Sequence, residues 1–245
     1  MFKLPRSKQK VHLSWMLILF LSLVLNQRVF AHSLTEQNLD YSATEIIQNM
    51  LNAQSGLKDF HAKVKLTARI GFIPLLPLSG DIYSKRPSQV KAVIGEILFL
   101  PQYRFIFPDP LQFASSRYTL KLVGTTELEG QKVYIIDVSS KEESEENLNM
   151  RFWISSKSWL IIKSDMSVPG MGRTVMQAKY IQAAPNAWIP TELKGEGGLL
   201  LANLLPPSGF GKLLSKVALT DDLHFQMELS KHQVNIGLTD SYFLK

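Results

Sequence analysis

Apolar and polar residues alternate along most of the chain after residue 60. From residue 60 to residue 70 every second residue is apolar and those between are polar or basic, as in a β-strand with one buried and one wet face. Similar short segments, divided by Gly, Pro, Asn and Asp, predict one large antiparallel sheet. The predicted strands lie near 80–86, 88–95, 97–107, 117–124, 131–138, 148–156, 159–167, 172–183, 187–194, 222–230 and 233–237. Glu129-Gly130 predicts a hairpin turn and the acidic run 141–147 a solvated hairpin tip.

The segment before this sheet has the helical period. Apolar residues follow the i, i+3, i+4 spacing over 43–51, and Ser42 with Glu45 three residues later forms a capping-box pattern. Gly56 marks the end. These features predict one amphipathic helix of about fourteen residues.

Two apolar stretches interrupt the alternation. Segment 71–79 contains Pro74 and Pro77, which cannot continue a sheet interior. Segment 195–219 is rich in Leu and Gly, with Pro206-Pro207 at its centre. Each stretch either packs on the core as an irregular segment or flanks an apolar cavity or a membrane surface.

The first 31 residues have the three-part layout of a secretory signal peptide. A basic lead, 1–10, precedes a thirteen-residue apolar run, 13–25, and Val29 and Ala31 stand at the −3 and −1 positions of a cut after Ala31. A membrane-spanning helix needs about twenty apolar residues, so this length favours a cleaved signal over an uncleaved anchor. We expect a single mature domain, 32–245, in the periplasm of a bacterial source.

Charge and cysteine content narrow the possible partners. The 245-residue chain has a formal net charge of +6, but residues 1–31 hold five basic and no acidic residues, and the remainder holds 22 basic and 21 acidic ones. A nearly neutral mature chain gives no reason to expect nucleic acid as a partner. The lack of cysteine excludes disulfides, thiolate metal sites and a lipid-modified cysteine.

Recognisable catalytic and metal-binding motifs are absent from the sequence. It contains no G-x-S-x-G, H-E-x-x-H, Walker or EF-hand pattern. His61, His224 and His232 are isolated and lack ligand spacing. We therefore expect a protein that is not an enzyme and holds no cofactor or metal, although an exported hydrolase with an unrecognised site remains an alternative.

Several short motifs carry a family resemblance. Segment 57–62 (LKDFHA) looks like a family helix-to-strand junction, and segment 80–87 (GDIYSKRP) is similar to a family strand that ends in Lys-Arg-Pro. Weaker matches lie at 118–124, 130–134, 152–154 and 234–243, the last resembling a closing strand. Over residues 42–243 the chain resembles the periplasmic outer-membrane lipoprotein carriers, the LolA-like family.

The resemblance implies both a fold and a function. The fold would be mainly β with α, a curved antiparallel sheet, or incomplete β-barrel, covered by an N-terminal helix and lid segments. Its hollow would shelter the acyl chains of lipoproteins, or another lipid, for transfer toward the outer membrane. The protein would be a monomer that meets membrane donor and acceptor complexes. The alternative is a regulatory or structural periplasmic module that uses the same half-barrel to bind a protein partner or sense lipoprotein.

The resemblance also assigns site residues. Arg86 of the Lys-Arg-Pro motif would hydrogen-bond lid carbonyls at a helix end, and the alternative is a rim Arg held by an acidic neighbour. The family's second lid helices are reduced here to 109–116, and Leu-rich 199–214 is a candidate substitute lid or membrane contact. The residues expected to line the ligand hollow with Arg86 are Ile82, Val64, Leu66, Ile94, Phe99, Phe105, Leu120, Trp153 and Leu200.

Overall fold

A computed structural model describes residues 40–75, 77–87, 89–94, 97–99, 110–114, 117–141, 149–168, 172–197 and 223–243. The chain divides into two compact units, Met1–Asp40 and Tyr41–Lys245, and the second is described below. Outside the described residues lie the predicted signal peptide, the acidic run after Lys141, the Leu-rich 199–214, Phe105 and Leu200. The boundaries of the predicted single domain stay a prediction.

Helix α1 spans Ala43–Ala53 and begins with the predicted capping box. The Ser42 hydroxyl accepts a hydrogen bond from the Glu45 amide at 3.2 Å, and the Glu45 carboxylate accepts one from the Ser42 amide at 2.7 Å. The helix is eleven residues long, shorter than predicted, because the chain leaves the helical conformation at Gln54, before Gly56.

Twelve strands and two further short helices follow in the described residues. They are β1 (Asp59–Ile70), β2 (Ile73–Pro74), β3 (Leu78–Lys85), β4 (Gln89–Ile94), β5 (Ile97–Phe99), α2 (Pro110–Phe113), β6 (Tyr118–Leu128), β7 (Gln131–Ser140), β8 (Asn149–Ser155), β9 (Ile161–Val168), β10 (Gly172–Ala184), β11 (Ala187–Glu196), β12 (Leu223–Val234) and a 3-10 helix (Asp240–Phe243).

The described strands form one curved antiparallel sheet. Its order is β5-β4-β3-β1-β12-β11-β10-β9-β8-β7-β6, and β2 pairs only with β1. The first and last long strands, β1 and β12, therefore lie side by side in the interior of the sheet, as the fourth and fifth strands of this order. No pairing joins the edge strands β5 and β6 in the described part of the chain, so the sheet is not closed into a barrel. The predicted mainly-β fold with an incomplete barrel is confirmed.

The last strand differs from the prediction. Of the strand predicted at 97–107, only the three residues of β5 lie among the described residues. The strands predicted at 222–230 and 233–237 are one strand, β12, and the expected closing strand after it is irregular backbone and a 3-10 helix, with Asn235 at a φ of 55°. A left-handed residue at this point ends the extended conformation.

One hairpin is longer than predicted. Strand β6 continues to Leu128, which pairs with Gln131 across the turn at Glu129-Gly130. Both turn residues have positive φ, 51° and 74°, the geometry whose twist matches that of the two flanking strands. The predicted hairpin turn is confirmed. Because the turn has only two residues, the two strands pair up to Leu128 and Gln131 on either side of it.

The apolar residues of the strands share one side of the sheet, here called the inner face. Strand β1 buries Phe60, Ala62, Val64 and Leu66 on it, while Lys63 and the other alternate residues point to the opposite, outer face. The same cluster includes Ile46, Ile47 and Met50 of α1, so the helix packs on the inner face. No helix among the described residues is long and apolar enough to cross a bilayer.

Candidate functional site

The N-terminal end of α1 is anchored by an aromatic cluster. Tyr41, next to the N-cap, packs edge-on against Tyr134 of β7 and Trp159, with ring centroids 5.8 and 5.2 Å apart. Tyr134 and Trp159 stack on each other at 5.6 Å and 5°. This geometry is favourable for aromatic pairs and attaches the start of α1 to the half of the sheet that contains β7.

Arg86 holds the opposite end of α1. Its guanidinium Nη1 donates to the carbonyl of Gln54, the C-cap, and to the carbonyl of Leu57 at 3.5 Å, and its backbone amide donates to Lys58 at 2.9 Å. Carbonyls at a helix C-terminus lack intrahelical donors and carry partial negative charge. The structure thus places the guanidinium at the kind of helix end that the resemblance implies. Its effect on a ligand stays a prediction.

A polar clamp fixes the connection between α1 and β1. The Asn235 side chain accepts from the Lys58 amide at 2.8 Å and donates to the Gly56 carbonyl at 2.9 Å. The buried Asp59 carboxylate accepts from the amides of Ile236 and Gly237 at 2.7 and 3.2 Å. Backbone donors of this kind satisfy a buried carboxylate. Neither side chain was assigned a role from the sequence, although Asp59 lies in the 57–62 motif and Asn235 in the 234–243 match.

Gly56 brings the turn between β10 and β11 to the same point. Its amide donates to the Asn186 carbonyl at 2.8 Å. A Cβ at this position would lie 2.1 Å from the Pro185 carbonyl oxygen, so the close approach requires glycine. The end of α1 is therefore tied to the ends of β3 and β12 and to the β10–β11 turn.

Four predicted ligand residues lie together on the inner face. Val64, Leu66 and Ile82 are buried in the same apolar cluster as the buried residues of α1, and half-buried Leu120 packs against it. Cross-strand register brings Leu120 beside buried Val138. The apolar cluster to which they belong extends along the inner face from β3 to the edge strand β6 and includes buried residues of α1.

Trp153 does not belong to this surface. It pairs across strands with Ile135 and Lys163 on the outer face, and the Lys163 ammonium lies 4.7 Å from its ring centroid. The assignment to the hollow is corrected, because Phe152-Trp153-Ile154 are three successive apolar residues whose pattern does not reveal which of them face inward. Their alternation in β8 places Trp153 opposite the two buried neighbours.

Two more predicted residues lie at one edge of the sheet. Ile94 ends β4 and pairs with Ile97, and Phe99 of β5 pairs with Ala92. Ala92 of β4 is buried in the core cluster, so the apolar core continues beyond β3 to this edge of the sheet.

The outer face carries several pairs of opposite charges. Asp137 and Asp165 accept two hydrogen bonds each, from Arg151 and Arg173, at 2.5 to 2.8 Å. Asp81 accepts from His61 at 2.6 Å and Lys63 at 2.8 Å. Burial raises the pKa of Asp81, but the hydrogen bonds from Lys63 and His61 outweigh it and leave the pKa below the usual value. The two faces of the sheet therefore differ sharply in polarity.

The outer face also contains a groove of about 330 Å³ between β9–β11 and two turns. Its lining mixes Ile162 and Trp188 with Lys179, Glu192 and Lys194. Glu192 bonds both lysines, which lower the pKa of its carboxyl. The described residues contain no group of three or more His, Cys, Asp or Glu that could hold a metal ion. The inner face is thus the more apolar of the two faces.

An open antiparallel half-barrel with one helix across its apolar face is a LolA-like architecture. No family model and no curated protein matches the sequence. Solved structures do match. A LolA superfamily protein from Nitrosomonas europaea is 11% identical, with a TM-score of 0.57 over 84% of this chain and 98% of that one.

Two other structures are similar to the same extent. A putative outer membrane lipoprotein-sorting protein domain from Vibrio parahaemolyticus is 11% identical, with a TM-score of 0.57 over 82% of this chain and 95% of that one. A DUF1329 family protein from Desulfovibrio piger is 13% identical, with a TM-score of 0.56 over the same shares. At these identities the likeness shows the fold, and the chain has a LolA-like fold.

Proposed function

We propose that this protein is a non-enzymatic periplasmic carrier that shelters the acyl chains of lipoproteins, or another lipid, for transfer toward the outer membrane. The main supporting observation is the inner face, an apolar surface to which β1, β3, β4 and β6–β12 each contribute residues. Two of the structurally similar proteins, described as a lipoprotein-sorting domain and a LolA superfamily protein, support it. It acts as a monomer between a membrane donor and a membrane acceptor.

Burial of acyl chains supplies the driving force. Removing one methylene from water is favourable by about 0.8 kcal/mol, so acyl chains require shelter to cross an aqueous compartment. Val64, Leu66 and Ile82 are already covered without a ligand. An acyl chain must therefore replace some of the contacts that now cover the inner face. Helix α1, held by the aromatic cluster at one end and Arg86 at the other, provides contacts of this kind.

Native mass spectrometry of protein purified from its own envelope fraction tests the carrier function. We expect co-purifying acyl species that Leu120→Gln reduces, because a carboxamide on the inner face lacks apolar complementarity. Val123→Gln is the matched control, since Val123 lies on the same strand and its side chain is 43% exposed. Bare wild-type protein, or equal loss in both variants, contradicts the proposal.

The second candidate is a regulatory module that binds a protein partner or senses lipoprotein. It is favoured by the packing of the inner face, where Ile46, Ile82 and Phe152 are at most 1% exposed without any ligand. Such a module would purify without lipid and capture one partner from the envelope. That result would replace the carrier proposal.

Export is part of the proposal. Cleavage after Ala31 would leave His32 as the first residue of the periplasmic protein. The intact mass of protein isolated from the envelope tests this step. A mass that includes residues 1–31 contradicts cleavage and supports an uncleaved anchor.

A further inference from the structure

The turn after β1 exposes the two most accessible large apolar side chains of the described residues. Phe72 is 94% exposed and Ile73 57%, while the next, Ile236, Ile181 and Val123, are 43% to 46% exposed. Residues 71–74 are here called the Phe72 tip. Apolar side chains that protrude together mark interaction sites more often than scattered ones do.

The Phe72 tip is a built turn. Ile73 pairs with Ile70 and Pro74 with Arg69, the Leu75 amide donates to the Ala68 carbonyl at 2.8 Å, and the Arg69 guanidinium donates to the Gly71 carbonyl at 2.6 Å. Gly71 takes a φ of 56°, in the left-handed region that favours glycine. Phe72 is therefore presented to solvent from an ordered backbone.

The strand that leads to the tip is cationic. Lys63, Lys65 and Arg69 occur between Asp59 and Asp81 with no acidic residue among them. Asp81 pairs with Lys63, and Glu228 stands opposite Lys65 in the adjacent strand. Arg69, nearest the tip, stands opposite His224, which in turn stands opposite Glu196. The charge adjacent to the tip is thus the guanidinium of Arg69.

We infer that the Phe72 tip inserts into the headgroup layer of a lipid surface that contains anionic lipids. Aromatic and aliphatic side chains beside a basic residue are the features of interfacial membrane contacts. A stable protein interface buries about 1,000 Å² or more, whereas the aromatic side chain that dominates this tip buries only about 150–250 Å². A small protruding tip therefore fits a lipid surface better than a protein groove.

This contact is independent of the proposed carrier function. It requires no ligand on the inner face, and Phe72 is not part of the apolar core cluster. In a carrier, the contact would bring the protein to a bilayer.

A single-label experiment tests insertion directly, because the chain has no cysteine. Ile73→Cys, labelled with an environment-sensitive fluorophore, is mixed with vesicles of phosphatidylcholine, with and without phosphatidylglycerol. We expect a blue shift and protection from an aqueous quencher, stronger on the anionic vesicles. Ile181→Cys, 44% exposed on another strand, is the matched control. No change at position 73, or the same change at position 181, overturns the inference.

Vesicle co-sedimentation with unlabelled protein gives a second measurement. We expect Phe72→Ser to weaken partitioning into vesicles by about tenfold, because the variant lacks the aromatic side chain that would be buried in the lipid. We expect Arg69→Gln to weaken partitioning by about fivefold, on anionic vesicles only. Ile181→Ser should partition like the wild type. Equal partitioning of Phe72→Ser and wild type overturns the inference. Retention of co-purifying acyl species by Phe72→Ser separates this outcome from a failure of the carrier proposal.

Discussion

At the residue scale, the site depends on side chains that meet only in the folded chain. The Lys-Arg-Pro resemblance indicated Arg86 from sequence, but its partners Gln54 and Leu57 could not be predicted, because the pairing joins the ends of α1 and β3. The same holds for Asn235, which contacts residues about 180 positions earlier in the chain. Local patterns carry no information on such contacts.

Removal of the Arg86 side chain should loosen the end of α1. Arg86→Leu removes the guanidinium donor from the Gln54 and Leu57 carbonyls, although the Gln54 carbonyl keeps the Leu57 amide as a donor at 3.2 Å. We expect a loss of stability of about 1–3 kcal/mol. Faster amide hydrogen exchange near residues 50–57 and impaired ligand release or transfer should accompany it. Arg86→Lys keeps the charge without the planar fork and should be intermediate. Unchanged ligand exchange in Arg86→Leu would contradict the role in transfer.

Gly56 offers a steric test of the same end. A methyl group there would meet the Pro185 carbonyl oxygen at 2.1 Å, so we expect Gly56→Ala to lower the free energy of unfolding by about 1–3 kcal/mol. Asn52→Ala, an exposed position on the same helix end, should have little effect. Urea unfolding measures both variants. If they behave alike, the close approach does not constrain α1.

At the scale of elements, local sequence patterns predicted the structure correctly where hydrophobic periodicity or turn residues determine it. The capping box, the alternation of β1 and the Glu129-Gly130 turn were all predictable, because each depends on residues a few positions apart. The prediction divided strand β12 after residue 230, where the structure has a register shift against β1 and Lys231 takes a φ of 51°. Pairing with β1 nevertheless resumes and continues to Val234, because a β-bulge interrupts the register without ending the strand.

Ion pairs on the outer face join adjacent strands, and β9 with β10 provides a pH test. Hydrogen bonds from Arg173 hold the pKa of Asp165 below its usual value. A carboxyl whose pKa is lower in the folded than in the unfolded state adds stability above the unfolded pKa, and this stability disappears as the pH falls through the folded pKa. We expect Asp165→Asn to reduce stability at neutral pH and to flatten its decline in acid.

Urea midpoints measured from neutral pH down to about pH 3, below the usual pKa of Asp, check this expectation. Glu127→Gln, an exposed carboxylate on the edge strand β6, is the control and should follow the wild type. An unchanged acid slope in Asp165→Asn would mean that the pair with Arg173 adds nothing to folding.

At the scale of the whole molecule, the fold could be predicted from the sequence. Which apolar residues the folded chain exposes could be predicted less well. Alternation in many strands, with one helix to cover them, indicated an apolar inner face. The sequence of 71–79 left two interpretations open, packing on the core or flanking an apolar cavity or a membrane surface, because apolar composition alone does not distinguish them. Exposure of Phe72 and Ile73 in the folded chain favours the second for the turn itself.

The inner face and the Phe72 tip should therefore be separable in one set of variants. Leu120 of β6 is half-buried and packs on the core cluster, whereas Phe72 protrudes from the turn between β1 and β2. Because the effects of substitutions without shared contacts add, Leu120→Gln should lose acyl ligand and still bind anionic vesicles. Phe72→Ser should do the reverse, and the double variant should lose both by the sum of the single effects. Native mass spectrometry and vesicle co-sedimentation of the same preparations measure the two properties. Loss of vesicle binding in Leu120→Gln would instead mean that the tip is presented only when the inner face is intact.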